Sequence, residues 1–344
     1  MKIAMLTRWN ATCGVSVHAE LVGRQWIKNH DLTVFAPTLE SVSGDYHHRT
    51  TREDEEFVIR GYGQPKNIGE DGWVDDRLWK EDYDVLVVES VELMPIPKLL
   101  EIFPKIRAKK VNIVHEGKLP EYEGFYKLNF DCIVCFDDRY KKMLRKRYPE
   151  DKIHIIPFPC NPVVRGDKIK ARAKLGMPED KIILFSFGRQ PRIEYDDYLW
   201  LAKELSRRHS VEYLIVRSNG PLEETDLLEI KLERLTTERL YDYLHASDIH
   251  MVPKRDTESI VVSSTVFQCL GSGCPIVIPD VKYVERLNKE VVKFKGRDDL
   301  KEKVSKLIED ENFRDEILEA AERYANRNSA ENIAEKLIKV FEDL

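Results

Sequence analysis

The sequence predicts an α/β protein with two doubly wound parallel sheets and a helical C-terminus. Short β-rich runs alternate with amphipathic stretches, which is the pattern of parallel strands joined by crossover helices. This alternation stops at Phe158-Pro159-Cys160-Asn161-Pro162, where turn formers interrupt regular structure, and then restarts. The length of 344 residues also exceeds the size at which a single hydrophobic core usually keeps growing. We therefore expect two domains.

The predicted division is a first domain over 1–160, a second domain over 161–328, and a helix over 329–344 that packs back on the first domain. Apolar runs predict strands of the first domain at 2–6, 32–37, 57–62, 84–90, 111–116, 132–136 and 153–157. Those of the second domain are expected at 181–188, 212–218, 249–253, 275–279 and 291–295. Apolar residues at helical spacing predict helices at 15–28, 196–208 and 237–246, the last capped by Thr237, and three more from residue 297 onward.

Composition and charge exclude several classes of protein. The formal net charge of −6 argues against a nucleic-acid partner, because such proteins neutralise phosphates with a basic face. No run of about twenty apolar residues exists, and the N-terminus lacks the pattern of a secretory signal, so we expect a cytoplasmic protein. The six cysteines are too few and too scattered for a disulfide framework. Cys132 and Cys135 lie in an apolar run, which predicts core packing rather than a metal site.

The loop after the first predicted strand is a candidate binding loop, because ligands of open parallel sheets bind beyond the carboxyl ends of the strands. Residues 10–18 are rich in small side chains and open a helix. Gly14 permits close backbone approach, and a helix N-terminus suits a phosphate. An ordinary βα turn explains the pattern equally well, and a lone His18 is more often a packed or solvated helix residue.

A second candidate loop carries His115 and Glu116 directly after the strand that begins at Val111. An imidazole and a carboxylate at the carboxyl end of a strand suit hydrogen bonding to hydroxyls or proton transfer. We expect His115 to be catalytic. The alternative is a loop whose charges face water.

The first two strands of the second domain are also followed by polar residues. Arg189 comes directly after Gly188, and Arg192 follows three residues later. A guanidinium beyond a glycine turn can clamp a diphosphate with paired hydrogen bonds. Asn219, which precedes Gly220 and Pro221, would border a nucleotide base, although these residues are equally typical of a simple turn.

Residues 256–275 form the most suggestive stretch of the chain. Thr265 and Gln268 fit a capping box, which predicts a helix that begins there and ends at Gly271 or Gly273. Ser263, Ser264 and Thr265 at its N-terminus would bind a second phosphate, and Gln268 would contact a ribose hydroxyl. The alternative is a capped structural helix without a ligand.

Taken in order, these motifs resemble the GT-B glycosyltransferases, in particular the retaining enzymes of glycosyltransferase family four. The stretch from Cys13 to His18 resembles the glycine-rich loop of that family, and Gly188-Arg189 resembles its donor-phosphate turn. Asn219-Gly220-Pro221 resembles its "GxGP" motif, and the resemblance covers nearly the whole chain. It implies two Rossmann-like domains facing a central cleft.

The resemblance implies a hexosyltransferase that moves a sugar from a nucleoside diphosphate sugar to a hydroxyl group, with retention of anomeric configuration and without a metal or other cofactor. The acceptor would be a sugar, a lipid-linked glycan or a small molecule. By the same resemblance, Arg189 would hold the donor diphosphate, Gly14 would let the donor approach, and His115 would touch the transferred sugar.

The chain departs from the family pattern at two places. Glu194 stands where the family has a lysine, which leaves Arg192 as a substitute cation. The family's glutamate pair falls on Ile260 and Gln268, and Glu258 would serve as the catalytic carboxylate if the loop is two residues longer.

Two other classes of function remain open on the sequence. A sugar-nucleotide epimerase or hydrolase of the same architecture would use His115, Glu116 and Glu258 as acid–base groups. A non-enzymatic subunit would bind the nucleotide sugar without turnover. Peripheral membrane contact through the basic run 141–147 is a further option, although such a run is more often a solvated helix face.

Overall fold

A computed structural model describes residues 1–45, 50–218, 220 and 227–344 of the chain. The chain divides into two compact units. Unit 1 comprises Met1–Pro159, Ser259–Ser264 and Ala330–Leu344, and unit 2 comprises Cys160–Glu258 and Thr265–Ser329. No sequence signal had indicated that residues 259–264 would return to unit 1. Within the described residues, no helix combines the length and the apolar character that a membrane span requires.

Unit 1 is built on a seven-stranded parallel sheet with the strand order β3-β2-β1-β4-β5-β6-β7. The strands are β1 (Lys2–Leu6), β2 (Asp31–Pro37), β3 (Val58–Tyr62), β4 (Val85–Glu89), β5 (Lys109–Ile113), β6 (Cys132–Cys135) and β7 (Ile153–Ile155). The helices between them are α1 (Gly14–Trp26), α2 (Arg77–Lys80), α3 (Ile96–Ile102) and α4 (Asp138–Leu144). All residues of β4 and β6 are buried, which is typical of central strands covered on both faces. Cys132 and Cys135 are free and buried, as predicted.

Unit 2 repeats this architecture with a six-stranded parallel sheet in the order β10-β9-β8-β11-β12-β13. Its strands are β8 (Ile182–Gly188), β9 (Val211–Arg217), β10 (Leu228–Leu232), β11 (Ile249–Met251), β12 (Ile276–Pro279) and β13 (Val292–Phe294). Its helices are α5 (Lys168–Leu175), α6 (Asp196–Leu205), α7 (Thr237–Ala246), α8 (Ser264–Cys269), α9 (Gly296–Glu309) and α10 (Glu311–Arg327), where Ser264 itself belongs to unit 1. The last helix of the chain, α11 (Ala330–Glu342), belongs to unit 1.

Three local predictions need correction. Strand β10 was not predicted, because it is a short edge strand with only one fully buried residue. The cap of α7 is Thr236 rather than Thr237, since its side chain accepts a hydrogen bond from the backbone N–H of Arg239. Helix α8 begins at Ser264, so Thr265 lies inside the helix and does not cap it. The following 3₁₀ turn (Leu270–Ser272) is capped by Gly273, whose φ of +75° is the left-handed conformation that glycine favours.

Candidate functional site

Each sheet has one point at which the strand order reverses. In unit 1 this point lies between β1 and β4, and in unit 2 it lies between β8 and β11. The crevice outside the carboxyl ends of two such strands is where open α/β sheets bind ligands. The residues that follow β1, β4, β8 and β11 are therefore the first candidates for function.

In unit 1, Gly14 begins α1 after the loop that leaves β1. A β-carbon at position 14 would lie 3.2 Å from the Oγ atom of Ser264, closer than most side chains tolerate. The structure thus brings together two predicted donor-binding residues that are far apart in the sequence. Cys13 caps the helix, with its Sγ atom 3.5 Å from the backbone nitrogen of Ser16.

Ser264 is the last residue of the segment 259–264, which packs against the loop after β5 and against α4. The backbone N–H of Ile260 donates to the carbonyl of Gly117 at 3.0 Å, and a β-carbon at position 117 would lie 2.3 Å from the Ile260 carbonyl oxygen. Arg139 donates to the Val261 carbonyl at 3.1 Å, and the Tyr140 hydroxyl lies 3.3 Å from the Ile260 carbonyl. Ser263, at the end of this segment, is buried.

The carboxylate of Glu89 joins two histidines at the switch point of unit 1. Its Oε1 atom lies 3.0 Å from Nδ1 of His18 on α1, and its Oε2 atom lies 3.1 Å from Nε2 of His115 beyond β5. Glu89 is the last residue of β4 and is fully buried, as is nearly all of His18. The side chain of His115 is 11% exposed. The ring of His115, a predicted catalytic residue, is therefore held by Glu89, which is itself bonded to His18.

The charges of this cluster, which we name the His–Glu–His cluster (His18, Glu89 and His115), follow from burial and mutual contact. Burial acts to raise the pKa of Glu89, but the two histidines outweigh it and the pKa is lowered. Burial lowers the pKa of His115, and the Glu89 carboxylate opposes this only in part. An ionised carboxylate beside a neutral His115 is the expected state at neutral pH. The three side chains each offer one potential metal-ligand atom, and these atoms lie within 4.8 Å of one another, so the cluster also suits a metal ion.

Glu116, next to His115, accepts hydrogen bonds from two backbone N–H groups. They are those of Glu92 at 3.0 Å and of His115 itself at 3.1 Å. Burial, and secondarily the charge of Glu92, raises the pKa of Glu116 to about 7. Glu116 is thus a proton-accepting or proton-donating group near neutral pH at the same edge of the sheet.

In unit 2, the switch point is flanked by two cations. Arg189 follows β8, whose last residue Gly188 has a φ of +131°, and Lys254 follows the neighbouring strand β11. Burial lowers the pKa of Lys254, the charge of Glu194 raises it, and the like charge of Arg189 lowers it further. Lys254 also lies over the ring of Tyr283, with Nζ 4.9 Å from its centroid. The ammonium group of Lys254 is therefore close enough to Arg189 to be affected by its charge.

The loop after β8 is supported by Arg217, the last residue of β9. Its guanidinium donates to the carbonyl of Gln190 at 2.8 Å and to the carbonyl of Gly220 at 2.9 Å. It also lies over the ring of Tyr195, 5.8 Å from the centroid. Arg217 is buried and two of its donors serve the backbone of this loop, so we assign it to holding the loop in place.

The other predicted donor-binding residues are placed less centrally. Arg192 is half exposed and pairs with Asp196 one helical turn later. Thr265 and Gln268 are both partly buried in α8, and the carbonyl of Gln268 accepts bonds from Asn161 and Tyr241. Asn219 lies outside the described residues.

Glu258, the second predicted catalytic residue, is exposed. Its carbonyl oxygen accepts a hydrogen bond from Nζ of Lys282 at 3.2 Å.

Sequence reasoning missed Glu89 and Lys254. Glu89 ends a strand of the apolar residues Val85 to Val88, and a carboxylate at that position was a signal of the same kind as His115. Lys254 follows Pro253 at the end of another apolar run. In both cases the sequence offered a single charged residue. The side chains that interact with it, His18 and His115 for Glu89 and Arg189 for Lys254, lie elsewhere in the sequence.

Each unit is a Rossmann-like domain built on a parallel sheet, and the fold is that of the GT-B glycosyltransferases. Residues 201–339 match the family model described as "Glycosyl transferase-like". The matched residues cover most of unit 2 and most of α11.

Several solved structures share the fold over the whole chain. Sucrose-phosphate synthase from Thermosynechococcus elongatus has a TM-score of 0.72 at 13% identity, with 100% of this chain and 98% of that chain covered. HepE from Anabaena, in complex with UDP-glucose, has a TM-score of 0.70 at 13% identity, with 100% of each chain covered. A glycosyltransferase from Rickettsia africae has a TM-score of 0.69 at 15% identity, with 99% of this chain and 98% of that chain covered.

Proposed function

We propose that the protein is a retaining glycosyltransferase that takes a nucleoside diphosphate sugar as donor and a hydroxyl group as acceptor. The observation that carries this proposal is the pair of cations, Arg189 and Lys254, at the switch point of unit 2. A diphosphate is the anion that this pair suits, because two positive charges in a partly buried crevice neutralise it strongly. The match of residues 201–339 to the glycosyl transferase-like family supports the same reading.

In the proposed reaction, the bond between the anomeric carbon and the diphosphate oxygen breaks, and a bond between that carbon and the acceptor oxygen forms. The acceptor proton leaves with the departing diphosphate. Negative charge develops on the diphosphate in the transition state, so Arg189 and Lys254 stabilise the transition state more than the bound donor. Lys254 takes the part that the resemblance gave to a lysine at the position of Glu194. Glu194 itself balances the charge of Lys254 in the absence of donor.

The residues of unit 1 have proposed roles of their own. His115 contacts the transferred sugar, because it is the most exposed member of the His–Glu–His cluster. The missing β-carbon of Gly14 admits the Ser264 side chain to the start of α1, and both residues are proposed donor contacts there. The donor contacts of Ser263, Thr265, Gln268, Asn219 and Arg192 stay predictions. The catalytic role of Glu258 also stays a prediction.

The acceptor and any membrane contact are also proposals. In the basic run 141–147, Lys141 and Arg145 pair with Glu150, and Arg147 pairs with Glu123. These ion pairs reduce the net charge that the run offers to an anionic surface. A lipid-linked acceptor would therefore need to be recognised chiefly by its sugar.

The experiment is a binding and turnover assay with UDP, GDP, ADP and their glucose conjugates. A ligand that binds only the folded protein raises the free energy of unfolding by about 2.7 kcal/mol when its concentration is one hundred times its Kd. A thermal-shift panel therefore identifies the nucleotide that binds. Arg189→Ala should weaken binding of that nucleotide roughly 10- to 100-fold, because it removes charge-assisted hydrogen bonds worth about 1.5–3 kcal/mol.

The matched control is Arg207→Ala. It removes an exposed arginine that lies between α6 and β9, at the amino end of β9 and so away from the loops that follow the strands. Equal losses in both variants would contradict a specific role for Arg189. With donor and acceptor present, an α-linked product from an α-linked donor supports retention. Free sugar or an epimer formed without acceptor would instead favour a hydrolase or epimerase, and binding without turnover would favour the non-enzymatic reading.

A further inference from the structure

Glu89 is the one member of the His–Glu–His cluster that no sequence motif assigns. It is fully buried, and each of its oxygens faces one imidazole nitrogen. An ionised carboxylate can only accept hydrogen bonds, so both nitrogens must carry the proton. His18 is then protonated at Nδ1, and His115 is protonated at Nε2. The remaining nitrogens are Nε2 of His18 and Nδ1 of His115.

Aromatic packing fixes the planes of both rings. Phe136 lies 5.0 Å from the His115 ring and 5.4 Å from the His18 ring, and Phe158 lies 5.3 Å from the His18 ring. The two imidazoles meet edge to face, with centroids 5.3 Å apart and an interplanar angle of 85°. These aromatic rings shield the Glu89 carboxylate from water. Neither imidazole can turn to offer its other nitrogen without losing its bond to Glu89.

We propose that Glu89 is a positioning residue that fixes His115 as the Nε2–H tautomer, so that Nδ1 presents a lone pair to a hydroxyl of the transferred sugar. No hydrogen bond to Nδ1 of His115 is formed within the described part of the chain. The site would accept a hydrogen bond from a sugar hydroxyl and would not donate one. This inference rests on the proposed function for the identity of the ligand, but the tautomer does not depend on it.

The first experiment needs no substrate. In protein labelled with ¹⁵N-histidine at pH 7.5, long-range ¹H–¹⁵N spectra distinguish protonated from unprotonated ring nitrogens. We expect His115 protonated at Nε2 only and His18 protonated at Nδ1. In Glu89→Gln the amide can accept from only one ring and donates to the other, so one ring should change tautomer. The control Glu101→Gln removes an exposed carboxylate of α3 that pairs with Lys98, and it should leave both tautomers unchanged.

Three results would overturn the proposal. They are the opposite tautomer of His115 in the native protein, a Glu89→Gln spectrum identical to the native one, or a stoichiometric metal ion bound through the ring nitrogens. Metal analysis of the purified protein separates the last case. Circular dichroism and thermal unfolding show whether Glu89→Gln is folded, and Glu89→Asp, which keeps the charge, should show the native tautomers.

The second experiment tests the consequence for sugar binding. We expect Glu89→Gln to weaken binding of the sugar nucleotide roughly five- to tenfold while leaving the affinity for the nucleoside diphosphate unchanged, because only the hydroxyl contact is lost. Equal weakening of both ligands would contradict a role directed at the sugar. If no nucleotide binds at all, the proposed function fails, whereas the tautomer result still stands or falls by the spectra.

Discussion

The indole nitrogen of Trp26 donates a hydrogen bond to the carbonyl oxygen of Ala334 at 3.1 Å. Trp26 ends α1 and Ala334 lies in α11, so the bond joins the first and last helices of unit 1. Phe341 packs edge to face on the same indole, with ring centroids 5.5 Å apart. The C-terminal helix is thus part of the core of unit 1.

Trp26→Ala should lower the free energy of unfolding by about 3–5 kcal/mol, because it removes a buried aromatic side chain and leaves a cavity. Urea unfolding followed by far-ultraviolet circular dichroism measures the change. Trp26→Phe keeps most of the apolar contact and loses the hydrogen bond, so its cost should be the smaller of the two. A loss below about 1 kcal/mol in Trp26→Ala would show that α11 contributes little to unit 1.

Lys254→Ala should weaken nucleoside diphosphate binding roughly tenfold, because one of two cations at the switch point is removed. Isothermal titration calorimetry with the nucleotide found in the panel gives the ratio. Lys203→Ala, an exposed lysine on α6, is the control for a change in net charge. If Lys254→Ala binds as tightly as Lys203→Ala, Arg189 acts without a lysine partner.

Glu116 should make the stability of the protein depend on pH. Its pKa is raised from 4.5 to about 7 in the folded protein, first by burial and then by Glu92, so the folded state holds a proton that the unfolded state releases. The stabilisation is complete below about pH 4.5 and is lost as the pH rises through about 7. Relative to Glu116→Gln, the native protein should lose up to about 1.4 kcal/mol per pH unit in this interval.

The measurement is urea unfolding of both proteins at several pH values. Glu92→Gln provides the internal check, because removing its charge should move the midpoint for Glu116 to lower pH. Parallel stability curves for the native protein and Glu116→Gln would mean that Glu116 is ionised throughout.

Asn112→Val should stabilise the protein by about 1–3 kcal/mol. Asn112 is fully buried in β5, and neither Oδ1 nor Nδ2 has a hydrogen-bond partner in the described part of the chain. A buried amide without partners costs about this much, and valine suits a central strand. Thermal and urea unfolding give the change, and Asn112→Asp should be destabilising. Destabilisation by valine would indicate that an ordered water satisfies the amide.

The strands and helices were predictable because they depend on residues close in sequence. The apolar runs that end at Leu6 and Pro37 match β1 and β2 to within one residue, since burial on both faces requires a continuous apolar run. Helix α7 was predicted with the bounds that it has, although its cap was misplaced by one residue. Strand β10 was missed because an edge strand needs no such run.

By itself, the sequence also determined which loops carry polar residues, because a strand's carboxyl end is followed directly by its loop. That is why His115 and Arg189 could be named as candidates. Only the tertiary structure decided what these residues meet. Glu89 is separated from His18 by 71 positions and from His115 by 26, and Lys254 reaches Arg189 only because β11 pairs with β8. Side chains converge at a switch point through the order of strands in the sheet, and that order is set by packing over the whole unit rather than by any local pattern.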